Sequence, residues 1–81
     1  MKIQVRLFAA ARQLVGQDHW ELECGPEPTV GRVREALETA FPALAPLMPF
    51  VRFAVNADYV PDDTPLTEHD DVACIPPVSG G

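Results

Sequence analysis

Only one stretch of this chain reads as a long helix, and both of its ends are marked. The cluster Gly25-Pro26-Glu27-Pro28 breaks regular structure ahead of it, and Pro42 breaks it behind. Between them Val30, Val33, Leu37 and Ala40 or Phe41 share one stripe, while Arg32, Glu35 and Glu38 face the other way. Thr29 stands where an N-cap belongs, its hydroxyl oxygen free to accept an orphan N–H of the first turn. The residue ahead of Pro42 is pushed out of helical backbone, which sets the end. A single apolar stripe of this kind is buried against a second layer, here a sheet face. The rest of the chain has to supply that sheet.

It does so in short pieces. Residues 2–8 alternate, with Ile3, Val5 and Leu7 on one face and Lys2, Gln4 and Arg6 on the other, the pattern of a half-buried strand. Residues 9–15 (AAARQLV) are a short helical segment stopped by Gly16. Residues 18–24 alternate again, Trp20, Leu22 and Cys24 inward and His19, Glu21 and Glu23 outward, so the two strands pair as an antiparallel hairpin with a helical connection. Beyond the long helix, residues 42–49 carry three prolines and form a loop, and residues 50–55 (FVRFAV) are the third strand. Asn56-Ala57-Asp58 is a turn, Tyr59-Val60 a very short strand, and Leu66 a core anchor between two further turns. Val72-Ala73-Cys74-Ile75 is the last strand, stopped by Pro76-Pro77, which lack two amide donors.

The resulting order predicts an α+β fold, a β-grasp (ubiquitin-like) roll in which one main helix packs on a mixed sheet. A ferredoxin-like sandwich is the competitor, and one long helix rather than two favours the roll. Eighty-one residues leave room for one domain, expected over residues 1–75, with residues 76–81 as a flexible tail. Twelve acidic residues against six basic ones give a net charge of −6, and Lys2 is the single lysine, which argues against a nucleic-acid partner. A basic protein partner is compatible with that charge. No apolar run is long enough to cross a bilayer and the N-terminus lacks signal-peptide features, so the cytoplasm is the expected location. Cys24 and Cys74, fifty residues apart in apolar surroundings, read as reduced core thiols and not as a metal set. His19 and His69 receive no role, and no nucleophile–base constellation or phosphate loop is visible.

What remains is the ending, Pro76-Pro77-Val78-Ser79-Gly80-Gly81. Two terminal glycines carry no Cβ and thread where nothing bulkier fits. The same ending also reads as a frayed terminus. In the roll the last strand is central, so these six residues leave from a fixed point. Nearly extended, they reach about 20 Å. Pro76-Pro77 stiffen the base and Ser79-Gly80-Gly81 keep the tip slim, which suits delivery of a carboxylate into another protein's pocket.

The residues also resemble a known family over nearly the whole chain. Residues 7–16 (LFAAARQLVG), Ala54-Val55-Asn56, and Pro65-Leu66-Thr67 with Asp70-Asp71-Val72-Ala73 all resemble segments of the small subunit of molybdopterin synthase, a ubiquitin-like sulfur carrier. The Pro-Pro-Val-Ser-Gly-Gly ending is the most specific element. One departure is His69, where the family commonly has glycine. At positive φ a histidine there is expected to cost about 1 kcal/mol.

The resemblance implies that Gly81 is adenylated by an ATP-dependent activating enzyme and converted to a thiocarboxylate. That group donates sulfur to cyclic pyranopterin monophosphate in molybdenum cofactor biosynthesis. The chain is then no enzyme by itself but the sulfur-donating subunit of a sulfurtransferase. It binds no cofactor or metal of its own and assembles as two small plus two large subunits. Gly80, Ser79, Val78, Pro77, Pro76, Ile75 and Phe8 are the residues expected to meet the partner. Phe53 is a further docking candidate that also reads as core, since large apolar side chains are usually buried. The alternatives are a carrier for thiamine thiazole or another thio-cofactor, a protein modifier forming isopeptide bonds through Gly81, and a plain interaction module.

Overall fold

The computed structural model describes residues 1–77. Alternation makes β1 over Lys2–Leu7, with Ile3, Val5 and Leu7 buried and their neighbours exposed. Phe8, in extended backbone, ends that strand and starts α1 over Ala9–Val15. Gly16 closes α1 at φ 85°, where its N–H donates to the Arg12 carbonyl at 2.8 Å. That left-handed position suits a residue with no Cβ. The chain returns as β2 over His19–Glu23, antiparallel to β1 in a register that sets Lys2 opposite Glu23 and Arg6 opposite His19.

The long helix, α2, runs Val30–Ala40 and buries Val30, Val33 and Leu37. Thr29 caps it as expected, its Oγ1 accepting from the Arg32 N–H at 3.3 Å. Residues 42–50 wind through two 3₁₀ turns, Pro42–Leu44 and Met48–Phe50. The third strand therefore starts later than expected. Pro49 holds helical φ, Phe50 N–H donates to the Leu47 carbonyl at 2.8 Å, and Phe50 stays in the turn, 65% exposed. Strand β3 covers Arg52–Val55 and β4 covers Asp58–Val60. Asp58 belongs to the strand rather than the turn, because the link is the two residues Asn56 and Ala57 at φ 52° and 74°. Two consecutive positive φ values match the right-handed twist of the strands they join.

The last strand, β5, spans Val72–Ile75 and lies in the middle of a five-stranded sheet ordered β2-β1-β5-β3-β4. It runs parallel to β1 and antiparallel to β3, so the sheet is mixed and the β-grasp roll is borne out. One face packs on α2 through Ile3, Val5, Leu7, Phe53, Val72 and Cys74, with Leu66 anchoring the long return loop as expected. Arg34 fastens α2 to that loop. Its guanidinium meets the Asp62 carboxylate at 2.9 and 3.0 Å, the Met48 carbonyl at 2.7 Å, and the face of Phe53 at 5.0 Å.

A second fastening explains two of the motifs. Asn56 Nδ2 donates to Asp70 Oδ1 at 2.9 Å, and Asn56 Oδ1 accepts from the Asp71 N–H at 2.9 Å. The Asn56 N–H donates to the Asp71 carbonyl at 2.9 Å, so one residue locks the β3–β4 turn to the approach of β5. The Thr67 N–H and the Asn56 amide hold the Asp70 carboxyl below its usual range. His69 is not among the positive-φ residues, so the strain expected there is absent. The turn is closed instead by the Asp70 N–H on the Thr67 carbonyl at 3.1 Å and the Thr67 N–H on Asp70 Oδ2 at 2.7 Å.

Candidate functional site

The site is the point where the chain leaves the sheet. Strand β5 is flanked on both sides, Cys74 opposite Leu7 of β1 and Phe53 of β3, and Ile75 opposite Arg52. Pairing on two edges fixes this exit more firmly than an edge strand would. Pro76 is buried and Pro77 is exposed, and neither has an N–H to continue the ladder. Val78, Ser79, Gly80 and Gly81 lie outside the described residues.

Strand alternation decides which side chains surround the exit. Phe53 and Val55 point to α2, while Arg52 and Ala54 point away. Of the two readings of Phe53, core is the right one: it is 1% exposed. On the face away from α2, Arg6, Ala73, Ala54 and Tyr59 lie in one row across four strands, and Ile75 sits beside Arg52 in the next. The two alanines give this row a shallow floor. Around it stand Phe8, 38% exposed, Tyr59, 54% exposed, and half-buried Ile75, with Phe50 two residues ahead of Arg52.

The cations on this face are placed, not loose. Arg52 stacks over the Tyr59 ring at 3.8 Å and Arg6 over the Phe8 ring at 5.2 Å. Arg6 also grips Asp71 with two hydrogen bonds of 2.9 and 2.8 Å. Both partners of that pair are about half exposed, so it contributes little stability and mainly orients the arginine. An apolar rim with oriented arginines is the composition that recurs at protein–protein contacts. Phe8 and Ile75 are legible in the sequence as docking candidates. Tyr59, Arg52 and Phe50 are additions from the structure, and the alternation of Arg52 and Ala54 against Phe53 and Val55 is the sequence signal that points to them.

The chemistry at the exit is sparse. Cys74 is buried on the α2 side, and burial pushes its thiol up to about 11. Cys24 is half-buried, its thiol also raised by desolvation, and both cysteines are free. Neither offers a thiolate at the exit. His19 Nδ1 lies 2.9 Å from Asp18 Oδ1, and that contact lowers the Asp18 carboxyl, but the pair is exposed on β2, two strands away. Among the described residues no group of three His, Cys, Asp or Glu side chains could hold a metal ion. Nor is any helix among them long and apolar enough to cross a membrane. The arrangement can hold and present the residues after Pro77.

A sequence profile of the ThiS family matches residues 5–81. The chain is 42% identical over 81 residues to the molybdopterin synthase sulfur carrier subunit of Escherichia coli (strain K12), covering 98% of this chain and 99% of that one. It is 35% identical over 81 residues to the molybdopterin synthase sulfur carrier subunit of Arabidopsis thaliana, covering 100% of this chain and 84% of the other. Among solved structures, SAMP1 from Haloferax volcanii aligns over 100% of both chains with a TM-score of 0.87 at 25% identity.

Proposed function

This chain belongs to the ThiS family, and we propose that it acts as the sulfur carrier subunit of a molybdopterin synthase. The single observation that carries the reading is the placement of β5. A strand held on both sides leads through two prolines straight into Val78-Ser79-Gly80-Gly81. The names of the Escherichia coli and Arabidopsis thaliana relatives support the cargo and the pathway.

A carboxylate is a poor electrophile, so loading proceeds by activation. A carboxylate oxygen of Gly81 attacks the α-phosphorus of ATP on a separate activating enzyme, and pyrophosphate leaves. Hydrosulfide then attacks the acyl carbon, AMP departs with the bonding pair, and a thiocarboxylate remains. The thiocarboxylate sulfur bonds to a carbon of cyclic pyranopterin monophosphate in the large subunit and displaces an oxygen substituent; water then cleaves the acyl–sulfur bond, which leaves the sulfur on the pterin and regenerates the terminal carboxylate. Two such deliveries make one dithiolene. Glycines at positions 80 and 81 let the acyl carbon approach inside a narrow channel. The work takes place in the cytoplasm, where ATP is at hand, in an assembly of two small and two large subunits.

The large subunit grips the face around the exit, with Phe8 and Tyr59 as anchors and Arg52 held in place by its stack on Tyr59. Mixing the purified chain with a purified large subunit should give a complex by size-exclusion chromatography. The double change Phe8→Asp and Tyr59→Asp should weaken it at least about tenfold, with the thermal transition little changed. Absence of a complex with that subunit, together with binding to a thiazole-forming partner, would move the chain to the other pathway.

A further inference from the structure

Three arginines among the described residues lie over aromatic rings: Arg34 over Phe53 at 5.0 Å, Arg6 over Phe8 at 5.2 Å and Arg52 over Tyr59 at 3.8 Å. A carboxylate completes two of them. Arg34 Nε and Nη2 meet the two oxygens of Asp62 at 2.9 and 3.0 Å, and Arg6 grips Asp71 in the same way at 2.9 and 2.8 Å. In both, the ring takes the flat face of the guanidinium and the carboxylate takes its edge, the fork geometry that arginine is built for. Arg52 has the closest ring of the three and no carboxylate. None lies within ion-pair distance of it among the described residues.

The strand carboxylates on this face of the sheet are already engaged. Asp71 holds Arg6, Glu21 takes Gln4 Nε2 at 2.8 Å and Lys2 at 3.9 Å, and Glu23 takes the N-terminal ammonium at 3.2 Å. Arg52 is exposed, and its register sets it opposite Ile75 of the exit strand, with Ala54 two residues further along its own strand and Ala73 opposite Ala54. A free arginine samples many rotamers, and the stack on Tyr59 removes most of that freedom in advance. Its donors are therefore presented before a partner arrives, which lowers the ordering cost of binding.

We propose that Arg52 is the residue by which this face selects its partner: it receives a carboxylate side chain of the docking protein, which completes the third fork. An apolar side chain of the same protein rests beside it on Ala54 and Ala73. The inference rests on the sulfur-carrier reading, in which that protein is the large subunit, and it names the chemistry of the surface that docks. The carboxylate belongs to the partner's polypeptide rather than to its substrate. Arg52 stands beside Ile75, and the six residues that follow carry the reacting carbon about 20 Å further when extended. Arg6, already filled by Asp71, gives position without selectivity. The net charge of −6 by itself favours a basic partner, but at this face the chain calls for an acidic patch.

The test is the affinity of the full chain for the purified large subunit, measured by titration calorimetry over a range of salt. Arg52→Gln should weaken the complex at least about tenfold at low salt, and Arg52→Glu further still. The salt dependence of binding should flatten in Arg52→Gln, since exposed charges are screened beyond about 10 Å at 0.1 M. Arg52→Lys keeps the charge without the fork and should fall between the parent and Arg52→Gln. Arg32→Gln removes the same charge from α2, on the other face of the sheet, and should bind as the parent does. All four should unfold close to the parent temperature. In the complex the Nε proton of Arg52 should shift downfield and exchange more slowly with water. Three outcomes overturn the proposal: equal weakening by Arg52→Gln and Arg32→Gln, weaker binding with an unchanged salt dependence, or an Nε proton that does not move. A parent complex indifferent to Arg52 removes this proposal alone, whereas a parent chain that forms no complex with the large subunit removes the sulfur-carrier reading with it.

Discussion

Deleting Gly81 should abolish sulfur transfer and leave the thermal transition of the protein where it was. The buried core is complete by Cys74, with Pro76 tucked in behind it. Changes away from core, caps and networks usually alter stability by no more than about 0.5 kcal/mol. The chemical effect is of another order. Removing one residue, or adding one after Gly81, shifts the reacting carbon along the channel by about 3.5 Å. A misplacement of about 1 Å can cost about a hundredfold in rate, so both variants should fall at least that far. The measurement is sulfur incorporation into the pterin by the reconstituted large subunit, activating enzyme and ATP. A truncated protein that transfers sulfur at the parent rate would remove Gly81 from the mechanism.

Phe53→Ala should produce the opposite pattern, a large loss of stability at a residue that never meets the partner. Phe53 is buried on β3, opposite Cys74 of β5 and Val60 of β4, with the Arg34 guanidinium over its ring. Truncating a buried phenylalanine costs about 3–5 kcal/mol, from the lost transfer free energy and the cavity left behind. A domain of this size has about 4–12 kcal/mol in total. The midpoint of thermal unfolding should therefore fall by more than about 10 °C. Any loss of partner binding should disappear once the folded fraction is allowed for. An unchanged midpoint with lost binding would instead put Phe53 on the docking surface.

Phe53 shows where the sequence is readable and where it is not. Its type and its alternation with Arg52 and Ala54 both point inward, yet the strand begins at Arg52 and not at Phe50. Pro49 favours the helical turn that captures Phe50, and a run of apolar residues does not reveal where such a turn gives way to strand. The long helix is legible because cap, stripe and stop are all local: Thr29, then Val30, Val33 and Leu37, then Pro42. Strands β1 and β2 are legible by their two-residue period. The fastening of Asn56 to Asp70 and Asp71 is not, because its partners are 14 and 15 residues apart and meet only through the sheet. Those residues stand out in the sequence as parts of a family pattern, and their role here is structural.

The candidate site divides the same way. Phe8 and Ile75 can be named from the sequence because they adjoin the ends of β1 and β5. Tyr59, Arg52 and Arg6 come together across separate strands, in rows that only the register defines. Residues 78–81 are known from the sequence alone, and the functional reading depends on the chemistry of that ending.

Intact-mass measurement of the protein isolated from the cells that make it tests that chemistry most directly. A fraction of the chains should be heavier by the difference between one sulfur and one oxygen atom. The added mass should map to the C-terminal peptide containing Gly81 and be lost on incubation with the large subunit and its pterin substrate. Unmodified termini throughout, or chains found joined through Gly81 to lysines of other proteins, would contradict it.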